Sequence, residues 1–399
     1  MTDRATEFVT ILGSTGSVGE NTLDVISGHP HLQVHALSAN TNVEKLARQC
    51  RQFKPHYAVM VDEDSAEQLA TLLADTDTEV LNGPAGLLQI VADTRVNMVM
   101  AAVVGAAGLD AALAAVRHGK KVLLANKESL VMAGDLFMRA VAESGAILLP
   151  IDSEHNAIFQ CLPHQQATAN GKGIDALGEV RRVILTASGG PFLHMSSSAL
   201  RQVTPQQACK HPRWEMGRKI SVDSATLMNK GLEFIEACFL FGLEPQRVEV
   251  LIHPQSVVHS LVEYVDGSML AQLAAPDMRV PIAYGLAWPQ RMTSGAASLD
   301  LAKIGSLEFF PPDLDRFPCL RLGMEAFKVG GTAPAILNAA NECAVQAFLD
   351  ERIGFSDIPR IIESVLAKIP CEAAASLAII QAADQHARIL GNELIAKAK

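Results

Sequence analysis

Two carboxylates in the middle of the chain have types and a spacing that could hold a cation. Asp152 and Glu154 follow an apolar run that ends at Pro150, and in extended backbone they would project to the same side. Paired carboxylates repel each other unless a proton or a cation separates them. Oxygen ligands suit Mg²⁺ or Mn²⁺, whereas zinc would favour closely spaced His or Cys. An exposed, solvated acidic loop is the alternative interpretation of this pair.

A third carboxylate, Glu233, lies in a helical pattern that we expect to begin near Asp223 or Ser224. In that helix Asn229, Lys230 and Glu233 would be neighbours, at positions i, i+1 and i+4. Asn and Lys beside an acid can hold a phosphate while the acid reaches a metal ion. The alternative is an ordinary salt bridge between Lys230 and Glu233 on a solvated helix face.

A glycine-rich turn near the N-terminus has the context of a dinucleotide site. Residues 13–19 read Gly-Ser-Thr-Gly-Ser-Val-Gly and lie between a predicted strand and a predicted helix. Glycines there let the backbone approach a pyrophosphate, which rests on the helix N-terminus. No Lys follows the turn, so it is not a Walker A loop, and a tight turn without a ligand is the alternative.

The chain after the second predicted strand favours NADP over NAD. An NAD site usually has an acid about 20 residues after the glycines, but no Asp or Glu lies between Asp24 and Glu44. The strand ends instead in Ser-Ala-Asn-Thr-Asn at residues 38–42, whose neutral donors could accept a 2′-phosphate. Lys45 and Arg48 are the nearest basic side chains.

Three further segments combine polar groups with strand ends or loops. Residues 125–129 follow a parallel strand, where open α/β sheets bind ligands, or else they cap a helix. Residues 186–192 could form an anion-binding turn, with an ordinary Gly-Pro turn as the alternative. Residues 211–219 place His, Trp and Met in a loop that resembles a lid over a ligand. A surface loop whose Trp docks on the core is the other possibility.

The elements that must position these groups predict an α/β fold with three parts. Strands alternating with helices over residues 1–150 predict a doubly wound, Rossmann-type parallel sheet. The pattern of strands and polar loops over residues 151–286 predicts a central α+β catalytic domain. We expect this domain to carry the metal and substrate site and a mobile loop. A Pro- and Gly-rich connector over residues 287–314 leads to a C-terminal helical bundle over residues 315–399.

The composition is that of a globular protein and disfavours several classes of partner. The chain has 399 residues, 33 of them basic and 43 acidic, and a formal net charge of -10. This balance disfavours nucleic acid, because phosphate contacts need clustered Lys and Arg. No apolar run reaches the roughly 18–20 residues that cross a membrane, and the N-terminal residues lack targeting features. Seven dispersed cysteines indicate a reduced, cytoplasmic protein with mostly buried thiols.

Taken in order, six motifs make the chain resemble the 1-deoxy-D-xylulose 5-phosphate reductoisomerase family. They are residues 13–19, 125–129, 150–156, 186–192, 211–217 and 228–233. The resemblance covers essentially the whole chain and implies a homodimer that acts on a small sugar phosphate. It implies that 1-deoxy-D-xylulose 5-phosphate is rearranged and reduced by NADPH to 2-C-methyl-D-erythritol 4-phosphate, in non-mevalonate isoprenoid precursor biosynthesis.

The resemblance also implies roles for individual residues. The NADPH site would comprise Thr15, Gly16, Ser17, Val18, Asn126, Glu128 and Gly217, to which the pattern after the second strand, not the resemblance, adds Asn40, Thr41 and Asn42. The ligands of Mg²⁺, Mn²⁺ or Co²⁺ would be Asp152, Glu154 and Glu233. The sugar phosphate would contact Lys127, Ser153, Glu154, Ser188, His211, Ser224, Asn229, Lys230 and Glu233, with Trp214 and Met216 on the covering loop. The catalytic group would be Lys127, Asp152, Glu154, His211 and Glu233.

One segment departs from the family pattern, and two other functions stay open. Family members commonly carry Gly followed by Lys, Arg or Ser after the second strand, where this chain has Asn-Thr-Asn at residues 40–42. That departure predicts a looser preference for NADPH over NADH.

The first alternative function is an NADP-dependent sugar-phosphate dehydrogenase without an isomerase step. The second is a non-enzymatic NADPH sensor built on the same fold.

Overall fold

The computed structural model describes residues 5–163, 165–173, 178–212, 214 and 216–397. The strands of these residues are β1 (Glu7–Leu12), β2 (Leu32–Ala39), β3 (Tyr57–Met60), β4 (Glu79–Asn82), β5 (Met98–Ala101), β6 (Lys121–Leu124), β7 (Ile147–Pro150), β8 (Val180–Ala187), β9 (Val248–Ile252), β10 (Val258–Tyr264) and β11 (Met269–Leu273).

The helices of the described residues follow the same chain order. They are α1 (Ser17–Ser27), α2 (Val43–Phe53), α3 (Glu63–Leu72), α4 (Gly83–Ala92), α5 (Leu109–Arg117), α6 (Lys127–Ser144), α7 (Ser153–Cys161), α8 (Gln165–Ala169), α9 (Ser197–Leu200), α10 (Pro205–Ala208), α11 (Arg218–Ala225), α12 (Met228–Phe241), α13 (Arg279–Ala287), α14 (Leu301–Ile304), α15 (Pro318–Val329), α16 (Ala333–Leu349), α17 (Asp357–Lys368) and α18 (Leu377–Lys397).

The N-terminal sheet is doubly wound. In the described part of the chain its strand order is β4-β3-β2-β1-β5-β6-β7, and every pair is parallel. The chain moves outward from β1 on one side, returns to β5 and continues on the other side. The topological switch therefore lies between β1 and β5, where open α/β sheets bind their ligands. The predicted Rossmann-type architecture is confirmed.

The central region is a mixed sheet covered by helices. Among the described residues its strand order is β11-β10-β8-β9, with β8 parallel to β9 and the other pairs antiparallel. Helix α7 packs against β10 and β11, and α12 packs against β8 and β9. This arrangement agrees with the predicted α+β class.

Two local predictions in the central region are wrong. The helix expected to begin near Asp223 or Ser224 is two helices, because α11 ends at Ala225 and α12 begins at Met228. Leu227 separates them with a left-handed backbone at φ 61°, which no α-helix accommodates. The break turns α12 so that its first turn enters the site.

The second wrong prediction concerns the acidic pair. Asp152 and Glu154 are not on one side of an extended segment, because α7 begins at Ser153 directly after β7. Asp152 is the residue that precedes this helix, and Glu154 lies in its first turn. A βα connection this short leaves no room for a strand continuation.

The C-terminal region is helical, as predicted, and α16 is its centre. Helix α16 packs against α15, α17 and α18, and also against α6 and α11 of the two preceding regions. Of its 17 residues, 13 are buried, so it is an interior helix rather than an amphipathic surface one.

Two smaller points concern the burial of the cysteines and whether any helix could cross a membrane. Within the described residues all seven cysteines are free, but only Cys50, Cys238 and Cys319 are buried, so the expectation of mostly buried thiols is wrong. These three lie in packed helices, while the other four lie nearer the surface. None of the described helices combines the length and the apolar character that a membrane crossing requires.

Candidate active site

One cavity collects most of the side chains that the sequence predicts for chemistry. It has a volume of about 170 Å³ and lies where the ends of β6 and β7 face the glycine turn and β8. Both the N-terminal and the central region contribute to its wall. The predicted residues that line it are Ser17, Val18, Lys127, Asp152, Ser153, Glu154, Ser188, His211, Trp214, Met216, Gly217, Ser224, Asn229, Lys230 and Glu233.

The parallel sheet explains why Lys127 and Asp152 meet. Strands β6 and β7 are neighbours in register, with Leu124 opposite Pro150. Lys127 begins α6 shortly after the end of β6, and Asp152 precedes α7 shortly after the end of β7. The carboxyl ends of parallel strands share one edge of the sheet, and Lys127 Nζ forms an ion pair with Asp152 Oδ2.

Two lysines hold three carboxylates together. Lys127 Nζ contacts Asp152 Oδ2 and lies 3.1 Å from Glu233 Oε1. Lys230 Nζ contacts Glu233 Oε2 and lies 2.7 Å from Glu154 Oε1. Each ammonium group therefore bridges two carboxylates. The salt bridge between Lys230 and Glu233 does form, but it is buried in the cavity wall rather than solvated.

This substrate-side cluster (Lys127, Asp152, Glu154, Lys230 and Glu233) has more carboxylates than ammonium groups. Glu233 is 1% exposed, and its burial, together with Asp152 and Glu154, raises the pKa of Glu233 to about 7. Burial also opposes the ionisation of Asp152, but Lys127 outweighs it and lowers the pKa of that carboxyl. A buried carboxyl with a raised pKa beside ionised neighbours is stabilised by a cation. The oxygen donors therefore fit a divalent ion such as Mg²⁺ or Mn²⁺.

The arrangement around Glu233 differs in one respect from the predicted ligand set. Among the described residues, Asp152, His155 and Glu233 each offer one atom within 4.8 Å of the other two. Glu154 is not in this group, and its oxygens accept hydrogen bonds from Lys230 and Ser153. His155 was not predicted. Its Nε2 donates to the backbone oxygen of Glu233 at 2.9 Å, so the buried ring fixes the segment that carries Glu233.

Hydroxyl and amide groups also line the cavity. Ser188 follows β8, and Ser224 lies on α11. A Cβ at Gly190 would come within 2.7 Å of Ser224 O, and Gly190 has φ 69°, so only glycine allows this close approach. Asn229 Oδ1 accepts from Lys127 Nζ at 2.9 Å. The turn after β8 is therefore part of the site rather than an ordinary connection.

The covering loop is ordered around His211. The backbone N–H of Trp214 donates to His211 Nδ1 at 2.9 Å, which leaves the proton on Nε2, 2.9 Å from Ser188 Oγ. Burial lowers the pKa of His211 to about 4, so the imidazole is neutral at physiological pH. The indole of Trp214 lies 6.0 Å from the ring of His259, centroid to centroid. Arg213 and Glu215 of the loop motif lie outside the described residues.

The glycine turn joins β1 to α1 next to this cavity. A Cβ on Gly19 would lie 2.5 Å from Ser14 Cα, so a side chain there would prevent α1 from closing onto the turn. Ser14 faces inward and donates to Gln49 Oε1 at 2.7 Å, whereas Ser17 is exposed at the start of α1. The turn thus presents a helix N-terminus at the switch point, which is a suitable place for a phosphate.

Seven predicted cofactor residues lie outside the cavity wall: Thr15, Gly16, Asn40, Thr41, Asn42, Asn126 and Glu128. Asn126 Oδ1 accepts from Ser129 N at 3.0 Å, so this side chain caps α6. Glu128 is buried and accepts from Lys219 Nζ at 2.8 Å. Residues 40–42 are exposed beyond β2.

Five cavity residues were missed by the sequence analysis: Ile220, Leu227, Ser256, His259 and Met278. Ser256 and His259 lie in His-Pro-Gln-Ser-Val-Val-His at residues 253–259, a polar run just before and inside β10. That concentration of His and Ser beside a strand was the available signal. No local pattern pointed to the two aliphatic residues or the methionine, because their role depends on how α11, α12 and α13 pack.

The chain matches family models along most of its length. A model described as 1-deoxy-D-xylulose 5-phosphate reductoisomerase matches residues 9–134. A model of the 1-deoxy-D-xylulose 5-phosphate reductoisomerase C-terminal domain matches residues 148–241, and one described as DXP reductoisomerase C-terminal domain matches residues 273–390.

Curated relatives and solved structures agree with these matches. The 1-deoxy-D-xylulose 5-phosphate reductoisomerase of Cellvibrio japonicus is 58% identical over 394 residues, which cover 98% of this chain and 99% of the relative. That of Pseudomonas savastanoi is 59% identical over 390 residues, 97% of either chain. The Zymomonas mobilis reductoisomerase in complex with NADPH has a TM-score of 0.90 at 48% identity, covering 98% of this chain and 99% of its own.

A further solved structure contains three ligands. It is a DOX-P reductoisomerase in complex with NADPH, fosmidomycin and magnesium, with a TM-score of 0.92 at 46% identity and 98% coverage of both chains. Sequence identity of 46–59% over nearly complete chains shows more than a shared fold. Together with the six motifs around one cavity, it shows that this chain belongs to the 1-deoxy-D-xylulose 5-phosphate reductoisomerase family.

Proposed function

We propose that this chain rearranges 1-deoxy-D-xylulose 5-phosphate and reduces it with NADPH to 2-C-methyl-D-erythritol 4-phosphate, a step of non-mevalonate isoprenoid precursor synthesis. One observation carries the proposal. Asp152, Glu154 and Glu233 converge with two lysines in a cavity whose wall also includes Ser17 and Val18 of the glycine turn. Metal, sugar phosphate and nicotinamide would therefore meet in one place. A plain dehydrogenase is not favoured, because the relatives at 58–59% identity are reductoisomerases.

The proposed metal ligands are Asp152, Glu154 and Glu233. When bound there, Mg²⁺, Mn²⁺ or Co²⁺ would stabilise negative charge that develops on vicinal substrate oxygens. The raised pKa of Glu233 supports this assignment, because burial and like charges disfavour three carboxylates that share only two ammonium groups. His155 would act behind the ligands, since it donates to the backbone of Glu233.

The lysines and the other polar groups of the cavity would hold the sugar phosphate. We assign Lys127 to the substrate's oxygens near the metal and Lys230 to the phosphate side, with Ser188, Ser224 and Asn229 as further donors. Neutral His211 would donate from Nε2 without adding charge, since its proton lies on that nitrogen. Ser153 completes the assignment beside Glu154. Such fixed donors orient the substrate before any bond changes.

The cofactor would lie along the switch point of the parallel sheet. Thr15, Gly16, Ser17 and Val18 surround the N-terminus of α1, which suits a pyrophosphate. NADPH would supply the hydride, and the protein its position and field. Further proposed contacts are Asn126, Glu128 and Gly217, with Asn40, Thr41 and Asn42 at the 2′-phosphate.

Trp214 and Met216 would cover the bound substrate. Both side chains line the cavity from the loop between α10 and α11. A loop that carries an indole and a thioether over a polar site excludes water, and water exclusion strengthens every charge interaction inside. The contact between Trp214 and His259 supports a loop that already leans over the cavity.

An assay of NADPH oxidation tests the function directly. NADPH oxidation is followed with 1-deoxy-D-xylulose 5-phosphate, with and without EDTA, and the product is identified by NMR. We expect oxidation that stops with EDTA, returns with Mg²⁺ or Mn²⁺, and yields the branched 2-C-methyl-D-erythritol 4-phosphate. An unbranched product would instead indicate a simple dehydrogenase, and NADPH binding without oxidation would indicate a sensor.

We also propose a homodimer, in which a second copy covers an apolar surface of the central region. Large apolar side chains are exposed at the β11 edge of the central sheet, namely Val265, Met269 and Leu270, and in the connector, namely Leu301, Leu307, Phe309 and Phe310. Exposed apolar side chains along an edge strand are typical of an interface. Light scattering should give twice the chain mass, and Leu270→Glu should shift the mass toward the monomer. A monomeric wild-type protein would refute the proposal.

Two further expectations stay proposals. The division into domains at residues 150, 286 and 314 is supported by the change from a parallel sheet to a mixed sheet and then to helices. A reducing compartment such as the cytoplasm is supported by the free cysteines of the described residues.

A further inference from the structure

A second ionic cluster lies outside the cavity wall and is centred on Lys219. This side chain is 21% exposed, and its Nζ lies 2.8 Å from Glu128 Oε1 and 3.0 Å from Asp223 Oδ2. Glu128 belongs to α6 of the N-terminal region, whereas Lys219 and Asp223 belong to α11 of the central region. One ammonium group thus joins the two regions that enclose the cavity.

The C-terminal region completes this cluster. Asn341 on α16 donates from Nδ2 to Asp223 Oδ1 at 2.8 Å, and both side chains are buried. Glu342, the next residue of α16, adds a third negative charge near Lys219 and is itself paired with Arg388 of α18 at 2.6 Å. Burial opposes the charged form of Lys219, but Asp223, Glu128 and Glu342 outweigh it and raise its pKa. The ammonium group therefore stays charged at all working pH values.

Each partner of Lys219 lies next to a residue of the site in sequence. Glu128 follows Lys127, which contacts two of the carboxylates, and Asp223 precedes Ser224 in the cavity wall. Lys219 itself lies two residues after Gly217, where the covering loop ends and α11 begins. A shift of Lys219 would move the end of the loop, the start of α6 and the Ser224 wall relative to one another.

We propose that Lys219 is a positioning residue that sets the covering loop and α11 at a fixed distance from the start of α6. The proposal rests on the proposed function, because it takes NADPH to contact Glu128 and Gly217, and the substrate to contact Ser224. Lys219 does not line the cavity, so it acts through these neighbours. Its loss therefore weakens the binding of both ligands while leaving the reacting groups in place.

The test compares Lys219→Met with Lys210→Met. Lys210 is exposed at the other end of the same loop and serves as the matched control. For Lys219→Met we expect KM for NADPH and for the sugar phosphate to rise about tenfold each, with kcat reduced no more than about threefold, as expected when positioning is lost rather than chemistry. Lys210→Met should match the wild type. Lys219→Arg keeps the charge and should give intermediate KM values.

The outcomes separate this proposal from the proposed function. KM values in Lys219→Met that equal those of the wild type would overturn the positioning role and leave the function standing. If the wild type does not turn over the substrate, the function fails, and the NADPH dissociation constant from fluorescence titration still tests Lys219. If thermal melting shows that Lys219→Met does not fold, Lys219→Arg decides: a raised KM at near-native Tm supports the role, and an unchanged KM refutes it.

Discussion

Two clusters of lysine and carboxylate share helix α6, and the pKa of the buried glutamate shifts in opposite directions in the two. In the substrate-side cluster two lysines face three carboxylates, and the pKa of Glu233 rises to about 7. In the Lys219 cluster, burial of Glu128 is outweighed by Lys219, and the pKa of this carboxyl falls below its ordinary value. The same residue types therefore give one cluster with a buried carboxyl that resists ionisation, Glu233. In the Lys219 cluster, called the satisfied cluster below, the buried glutamate stays ionised.

The difference indicates which cluster does chemistry. A strained group of buried charges persists only where something else compensates, and such groups concentrate at functional sites. In the satisfied cluster Glu128 and Asp223 each pair with Lys219, and Asp223 also accepts a hydrogen bond from Asn341. We expect substitutions in the first cluster to change turnover, and substitutions in the second to change binding and stability.

The largest expected effect comes from Glu233→Gln. Removing this charge leaves too few ligands for a divalent ion, so we expect kcat to fall about a thousandfold or more. NADPH affinity should stay within a few fold, because Glu233 is assigned to the metal and not to the cofactor. The measurement is steady-state NADPH oxidation together with NADPH titration. Near-normal turnover would remove Glu233 from the metal site, and Glu363→Gln, on the exposed side of α17, serves as the control.

A smaller effect is expected for Trp214→Ala, in the covering loop, which lines the cavity and ends next to Lys219. Without the indole the loop closes less well over the substrate, so KM for the sugar phosphate should rise about tenfold. The substitution leaves the reacting groups in place, so the fold decrease in kcat should be smaller than the fold increase in KM. Steady-state kinetics provide both values. If KM and kcat equal those of the wild type, the indole only docks on the protein and covers no ligand.

Asn341→Ala should break the satisfied cluster from the C-terminal side. Asp223 would lose a buried hydrogen bond to a charged oxygen, which contributes about 2 kcal/mol to stability. We therefore expect a lower free energy of unfolding in urea, with kcat within about threefold of the wild type. Asn392→Ala, at an exposed position of α18, is the matched control. A large loss of kcat at unchanged stability would show that the two clusters do not differ in the way described.

The smallest effect concerns the protonation of His211. Burial disfavours the imidazolium, so the folded protein should take up this proton only near pH 4, whereas the unfolded chain takes it up near pH 6.5. The neutral ring therefore contributes stability above about pH 6.5 that is lost as the pH falls toward 4. NMR titration of the ligand-free protein measures the value. A pKa at or above 6.5 would contradict the neutral donor assigned to His211.

Local sequence patterns predicted those parts of the site that depend on one or two elements. The glycine turn could be predicted because a strand, a turn and a helix N-terminus are contiguous, and the spacing of Asn229, Lys230 and Glu233 because one helix carries all three. The break at Leu227 could not, since a leucine has no preference for the left-handed backbone it adopts there. Tertiary packing imposes that conformation.

Contacts between distant segments were the other part that sequence could not supply. Lys219 meets Glu128, and Asp223 meets Asn341, across regions that no periodic pattern connects. Glu128 was predicted for the cofactor site, but its ion pair depends on how α11 lies against α6. Family resemblance identified which residues matter, and only the packing of three regions shows how the buried charges are balanced.

The most direct test of the central claim is Mn²⁺ binding, measured by electron paramagnetic resonance. Titrations are made on the wild type and on Asp152→Asn, Glu154→Gln and Glu233→Gln, with Asp223→Asn from the satisfied cluster as the control. We predict one Mn²⁺ per chain in the wild type and the control, and strongly weakened binding in the other three, with NADPH still bound. Equal Mn²⁺ affinity in all five proteins would contradict a shared carboxylate site.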